Sequence, residues 1–509
     1  MKHIYTILFF LISISVVGQI SPQSKKITEK FFPENEEILN TTPALLKKKG
    51  FTDYEELIAF LNNLVAKHPQ KIQLSFIGES QKGKKIPMVR LTNPNSSEKI
   101  KVWMQGGLHG NESASTEGML YLLDRLLNDE SYTSLLNDID LAIVPMANID
   151  GYLKVDRYAA NGLDLNRDQT KLMAPESVVL KQAYTNFNPE VGVDFHEYTP
   201  YRKDYATLSD FGVTALYDAM FLYSGNLNVP KNLRQITDTL FVENARKILD
   251  ENKLKHHPYI STTKVNGETH FSHGSVSARS SATNYALTNA IATLIEVRGV
   301  GLGRTSFKRR INVTFLIAIS YLKTASQNQQ LVKLAIEKAS QQKNDVVVTS
   351  VRAVYKDKVD FIDLDTNEII ALEVTLRDAL KSKPDIVRKR PIAYLIDENQ
   401  KEIIEKLKIL GAEIEQLTED TEITVETFQI DEYDRSSVTY EKMNQQTVTV
   451  KLTEEKKNFK KGTFKISMNQ RRSNIILEVL EPEAPNSFVS FGVLETSKGA
   501  LLPIYRILN

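Results

Sequence analysis

Between residues 51 and 340 the chain alternates short apolar runs of strand length with segments whose apolar residues recur at helical spacing. After about residue 345 it changes to β-branched, alternating stretches. These two textures predict an α/β protein: a mixed, largely parallel twisted sheet flanked by helices, followed by a smaller β-rich C-terminal domain. At 509 residues the chain is long enough for such a division.

Taken in order, Lys2 and His3 lead into an apolar run over 4–17, closed by Val16-Val17-Gly18. This predicts a signal peptide over 1–18, cut near Gly18; the run falls short of the ~20 apolar residues of a spanning helix. Residues 19–50 are polar, contain Pro22, Pro33 and Pro43, and read as a loosely ordered lead-in. Apolar spacing from Tyr54 through Leu57, Ile58, Leu61, Leu64 and Val65 predicts a helix to residue 67, capped by Thr52 or Asp53. Strands are predicted over 72–77, 86–91, 100–104, 141–145, 191–195 (ending at His196) and 291–297. Helices are predicted over 114–127, 175–186, 235–252 and 311–340. These elements make residues 51–340 one domain. Within 346–509, the stretches 345–355, 368–376, 437–452 and 475–480 read as strands, 401–417 as an amphipathic helix, and Lys-rich segments such as 454–462 as turns.

The 64 basic and 63 acidic side chains balance, which argues against a nucleic-acid partner. No later stretch is apolar enough to span a membrane once a signal peptide is cut. Cysteine is absent, so any metal must be held by His and carboxylates. An export signal without disulfides points to a secreted or periplasmic bacterial protein with a core large enough to do without them.

Gly106-Gly107-Leu108-His109-Gly110-Asn111-Glu112 joins a predicted strand to a predicted helix. The three-residue spacing lets the His109 imidazole and the Glu112 carboxylate converge on one ion, although such spacings also arise by chance. A catalytic zinc site typically has three protein ligands and leaves a fourth position open. His196, in Asp194-Phe195-His196-Glu197 at the end of an apolar strand, is the candidate third ligand, or else a histidine that caps the strand. The segment from Asn148 to Arg167 carries Arg157, Asn166 and Arg167; it reads either as an anion-binding loop or as a solvated one. Glu296 lies inside the apolar strand 291–297 and is the candidate general base, with a same-face ion pair to Arg298 as the alternative.

The order of these pieces, HxxE, then NxDG…R…NGxDLNR, then DFHE, then LIEVRG, closely resembles the zinc carboxypeptidases of the M14 class over roughly residues 51–340. Residues 346–509 are similar to C-terminal extensions of some bacterial members. The resemblance implies one Zn²⁺ per chain held by His109, Glu112 and His196. It implies Glu296 as the catalytic carboxylate, Arg157 as the oxyanion stabiliser, and Asn166 and Arg167 as the pair that holds the α-carboxylate of a peptide or protein substrate. It departs from the pattern in one place: the family's substrate-contacting tyrosine belongs about twenty residues before the glutamate, and 271–279 has none. The implied activity is a secreted metallocarboxypeptidase. The alternatives are a zinc amidase or endopeptidase acting on cell-wall peptides, and a non-catalytic peptide- or glycan-binding protein of the same fold.

Overall fold

The computed structural model describes residues 23–96 and 98–508. The predicted signal peptide lies outside them. Eleven strands belong to the first part: β1 (Ile72–Glu79), β2 (Lys85–Leu91), β3 (Ile100–Gly106), β4 (Ile139–Val144), β5 (Val191–Tyr198), β6 (Val213–Ala215), β7 (Ala219–Leu222), β8 (His256–Pro258), β9 (Ile260–Val265), β10 (Glu268–His273) and β11 (Ile291–Arg298). Eight of them form one mixed sheet in the order β1-β2-β4-β3-β5-β11-β7-β8. Its centre, β4-β3-β5-β11, is parallel. β4 and β5 are buried at every position, as strands covered on both faces must be.

The flanking helices follow from local chemistry. Asp53 and Glu56 form a reciprocal capping box at the start of helix Tyr54–Lys67. Helix Ser113–Asn128 is buried on almost all sides and packs on helix Phe307–Gln327. A Cβ on Gly118 would lie 2.4 Å from Thr314 Cγ2, so only glycine allows this approach. The periodicity predicted over 311–340 is two helices, Phe307–Gln327 and Gln329–Ser340, parted at Asn328. That predicted over 235–252 passes through a π-helical turn, Thr237–Val242.

The lead-in is docked rather than loose. Lys25–Phe31 is helical with a Ser24 cap. Buried Glu117 accepts hydrogen bonds from Thr42, from the Ala44 amide and from Thr52. Polarity misled here because these groups satisfy one another inside the protein.

The second part brings β12 (Val346–Val347), β13 (Ser350–Asp363), β14 (Ile369–Pro384), β15 (Val387–Arg388), β16 (Ala393–Ile396), β17 (Glu415–Gln416), β18 (Thr421–Tyr440), β19 (Met443–Phe459), β20 (Phe464–Ser467) and β21 (Leu501–Ile507). β13 and β14 join the first part's strands in a sheet ordered β6-β13-β14-β10-β9. The change of texture near 345 is therefore no break in hydrogen bonding. β12 and β15 pair with each other, and β17-β20-β16-β21-β18-β19 form a six-stranded sheet. Several expectations change. Residues 475–480 lie in a helix, Ser473–Leu480, buried on all sides; a short, mostly apolar run interrupted only by Glu478 has no clear period to separate helix from strand. Residues 454–459 continue β19 as an exposed edge strand, and only 460–462 turn. The 401–417 helix stops at Ile409, ahead of Gly411 at φ 91°.

Helix Ser473–Leu480 ties the two parts together. Asn226 Nδ2 donates to Glu478 Oε2 at 3.1 Å, beside a cavity of about 70 Å³ lined also by Val276, Val347 and Asn486. Burial pushes the Glu478 carboxyl up to about 7, against hydrogen bonds from Asn226 and Asn228. An acid raised in the folded state stabilises the fold fully below its unfolded pKa of ~4.3 and loses that contribution as pH rises through the folded value. The wild-type melting temperature should therefore fall as pH rises from about 5 to about 8. Glu478→Gln should flatten that fall, removing up to ~3 kcal/mol of the pH-dependent loss of unfolding free energy. Parallel pH profiles for the two proteins would show that Glu478 does not titrate in this range.

Candidate active site

The parallel centre of the sheet assembles the site. β3 ends at Gly106, and the loop after it carries His109 and Glu112. β5 carries His196 directly opposite Glu296 of β11. Gly107 has φ 65°. A Cβ on Gly110 would lie 2.1 Å from the Gly151 carbonyl carbon, so the His109 loop and the 148–152 turn touch backbone to backbone. Glu197 holds the start of the next helix by accepting from the Ala114 amide at 2.9 Å, and it pairs with Arg310. A Cβ on Gly299 would fall on Glu197 Oε1, 1.6 Å away, which explains the glycine of the LIEVRG run.

His109, Glu112 and His196 are buried, and their ligand atoms lie within 4.8 Å of one another. His109 Nδ1 is 2.7 Å from Glu112 Oε1 and 3.0 Å from His196 Nδ1; His196 Nδ1 is 2.8 Å from Glu112 Oε2. Each imidazole turns its other nitrogen to a carboxylate: His109 Nε2 to Asp164 Oδ1 at 3.0 Å, His196 Nε2 to Asp194 Oδ2 at 2.8 Å. Such outer carboxylates fix tautomer and ring orientation in metal sites. Burial raises the Glu112 carboxyl, and the two imidazoles override it, holding it well below the usual range.

The other predicted residues gather around this cluster. Arg157 Nη1 is 3.7 Å from Glu112 Oε1, and Arg157 Nε and Nη2 donate to Asp164 Oδ2 at 3.1 and 2.9 Å. The loop is thus built, not solvated. Asn166 is buried, and its Oδ1 accepts from the Ser281 amide at 2.8 Å. Arg167 donates to the Asn166 carbonyl at 2.9 Å and, among the described residues, has no carboxylate at ion-pair distance. The Glu296 side chain likewise makes no hydrogen bond or ion pair among them. Arg298 does not pair with it: that guanidinium donates to Gln23, to Thr214 and to the Ala215 carbonyl. Burial, and then the like charge of Glu112, push the Glu296 carboxyl up to about 7, while His196, His109 and Arg157 oppose the rise.

Asp164 and Asp194 were not singled out in the sequence, although both lie inside quoted motifs, two residues from Asn166 and from His196. Tyr259 lies between β8 and β9, farther upstream than the pattern places a tyrosine. Burial, then the charge of Glu296, push the Tyr259 phenol up, and Arg167 counters. His270 and His273 are strand residues of β10, and His273 Nδ1 faces Asp378 Oδ1 at 3.5 Å.

Two imidazoles and a carboxylate, with no thiolate in the chain, are a donor set that suits zinc. The model of the family described as zinc carboxypeptidase (Peptidase_M14) matches residues 57–301. Residues 57–301 are a zinc carboxypeptidase domain. Carboxypeptidase 2 of Trichophyton rubrum is 29% identical over 446 residues, covering 84% of this chain and 81% of its own length. Carboxypeptidase 2 of Trichophyton tonsurans is 28% identical over 445 residues, with the same coverage of 84% and 81%. The solved carboxypeptidase A of Helicoverpa armigera is 21% identical, covers 55% of this chain and 75% of that one, and superposes with a TM-score of 0.43.

The carboxypeptidase domain makes the chain a zinc-dependent peptidase, which sets aside the non-catalytic alternative. Purified protein should carry about one zinc per chain, and His196→Ala should lose most of it. Asp194→Asn and Asp164→Asn should each weaken zinc binding ~10- to 100-fold by releasing a ligand ring. Full zinc occupancy in His196→Ala, measured by elemental analysis, would remove His196 from the ligand set.

Proposed function

We propose that the protein removes the C-terminal residue from peptides, with His109, Glu112 and His196 holding the zinc and Glu296 moving the proton. The observation that carries this reading is a pair of side chains beside the buried cluster: among the described residues, Glu296 has no hydrogen-bond or ion-pair partner and Arg167 has no carboxylate at ion-pair distance. Zinc bound by the three ligands supplies a Lewis acid that polarises the scissile carbonyl and acidifies water. Glu296 takes a proton from the attacking water and delivers it to the leaving amine nitrogen. Arg157, held by Asp164, faces the negative charge that develops on the carbonyl oxygen. Arg167 and the Asn166 side-chain amide bind the free α-carboxylate, the guanidinium by paired charge-assisted hydrogen bonds.

Export belongs to the same proposal, on the apolar run over 4–17 after Lys2. Among the described residues no helix is long and apolar enough to cross a membrane.

Glu296→Gln should keep zinc and fold while turnover falls by ~10²-fold or more, because the proton acceptor is gone. Near-normal turnover in that variant would remove Glu296 from the mechanism. A peptide with a free C-terminus should lose its last residue, and its C-terminally amidated twin should react ~10- to 100-fold more slowly, since the amide brings no charge to Arg167. Arg167→Ala should erase most of that difference by slowing only the free acid. Products identified by mass decide between the readings: internal cleavage, or equal rates on the two peptides, would leave the endopeptidase or amidase alternative.

A further inference from the structure

The C-terminal part reaches the substrate end of the site through one hairpin. β18 and β19 are the longest strands among the described residues, and β21 pairs with β18 only as far as Gln429. Beyond that the two strands run on alone to a two-residue turn between Tyr440 and Met443. Residues 489–494 brace this arm: Gln446 Nε2 donates to the Val489 and Leu494 carbonyls at 2.7 and 3.0 Å. The turn residues Glu441 and Lys442 have φ 48° and 62°. Tight hairpins normally place Asn or Gly in that conformation. Two long charged side chains held there are backbone outliers of the kind that cluster at functional sites.

The turn closes a ring of contacts with the residues assigned above to the α-carboxylate. The Asp164 amide donates to Glu441 Oε2 at 3.0 Å, and the Asn166 amide to Asp164 Oδ1 at 2.8 Å. The Ser281 amide donates to Asn166 Oδ1 at 2.8 Å. Two residues before Ser281, the Arg279 guanidinium lies over the Tyr440 ring, 4.9 Å from its centroid. Asn486 holds the same segment, accepting from the Arg279 amide at 3.4 Å.

Among the described residues the Arg279 guanidinium makes no hydrogen bond and no ion pair; its partner is the Tyr440 face. Its neighbour on the ring, Arg167, also lacks a carboxylate. Burial lowers the Arg279 pKa, and the like charge of Arg167 adds to that, while Tyr440, Asp164 and Glu441 oppose it. The two nearby acids are otherwise engaged: Asp164 with His109 and Arg157, Glu441 with the Asp164 amide. Two partly buried guanidiniums joined through the Asn166–Ser281 contact, neither paired with a carboxylate among the described residues, are complementary to a ligand with two carboxylates.

We propose that the hairpin turn and Arg279 form the pocket for the side chain of the released residue, and that this pocket takes a carboxylate, so that the preferred substrates are peptides ending in glutamate or aspartate. The proposal rests on the exopeptidase reading above. Arg167 takes the α-carboxylate, Arg279 takes the side-chain carboxylate, and Tyr440 holds Arg279 in place by covering one face of its plane. The C-terminal part is on this account a wall of the active site and not a separate binding module.

The test uses the zinc-loaded full chain and peptides identical except for a terminal Glu, Gln, Leu or Lys. Wild-type kcat/KM should favour Glu over its uncharged twin Gln by ~10-fold or more. Arg279→Met should bring that ratio close to one with zinc content unchanged, and Arg279→Lys should keep part of it. Arg279→Glu should invert the order and favour the Lys-ended peptide, a reversal that a merely structural role cannot produce. Tyr440→Phe should preserve the preference and Tyr440→Ala should reduce it, mainly through KM. Equal wild-type rates on the Glu and Gln peptides, or an Arg279→Met loss shared equally by all four, would overturn the pocket. C-terminal release without preference would do so while leaving the exopeptidase reading intact. Absence of C-terminal release altogether would reject both.

Discussion

Burial of Glu112 between two histidines is the interaction on which the rest of the site depends. A carboxylate out of water is costly unless it is matched. Here each charge is matched by the next: Glu112 faces His109 and His196, these face Asp164 and Asp194, and Asp164 in turn faces Arg157. The chain of pairs is rich in carboxyls. Counting Glu296, four acids meet one arginine and two imidazoles that are neutral when they ligate a metal. The excess shows in the titration directions. Burial lowers His196, yet Asp194 and Glu112 hold it well above its usual value. Burial together with Glu112 raises Glu296. A dication held by His109, Glu112 and His196 would offset this excess of carboxyls.

The sheet explains why these groups meet at all. His109, His196 and Glu296 are far apart in the chain, but β3, β5 and β11 run parallel and adjacent, so their C-terminal ends open on the same crevice. Strand pairing sets His196 opposite Glu296 directly. The loop after β3 must then fold back tightly enough to bring both His109 and Glu112 to that point. That demand accounts for Gly107 in its left-handed conformation and for the close approach of Gly110 to Gly151. Glu197 and Arg310 add a second constraint, pinning the helix that follows Glu112 to the end of β5.

This geometry also explains what could be read from the residues in order and what could not. The central strands, the Asp53-capped helix and the ligand set were legible because each leaves a local signature: an apolar run, a capping box, a fixed spacing. Asp164 and Asp194 were not, because their partners lie elsewhere in the chain and an acid two residues from a histidine or an asparagine has no distinctive pattern. The lead-in read as loose because its polar side chains find their partner, Glu117, only after folding. Residues 475–480 read as a strand because a fully buried helix loses the polar face that marks helical period. The pairing of β13 and β14 with β10 and β6 was equally invisible, since long-range strand order is set by packing and not by composition.

The segment 277–281 shows what the second part of the chain contributes to the first. A loop that selects a substrate must be ordered before binding, or part of the binding energy goes into ordering it. This one is held at several points. Asn284 accepts from Lys181 and donates to the Ala278 carbonyl, Ser281 is fixed to Asn166, and Gln169 donates to the Arg279 carbonyl. Those contacts fix one side only. The opposite side is closed by Asn486 and Tyr440, which come from the C-terminal part. The same part is anchored to the first through Glu478 and Asn226, and Asn226 also donates to the Val276 carbonyl, one residue before the loop begins. Anchor and wall therefore meet on the same short stretch. A chain that kept His109, Glu112, His196 and Glu296 but lost residues beyond 345 would retain the groups proposed to break the bond. It would leave Arg279 and Arg167 facing water on the side where the hairpin now stands.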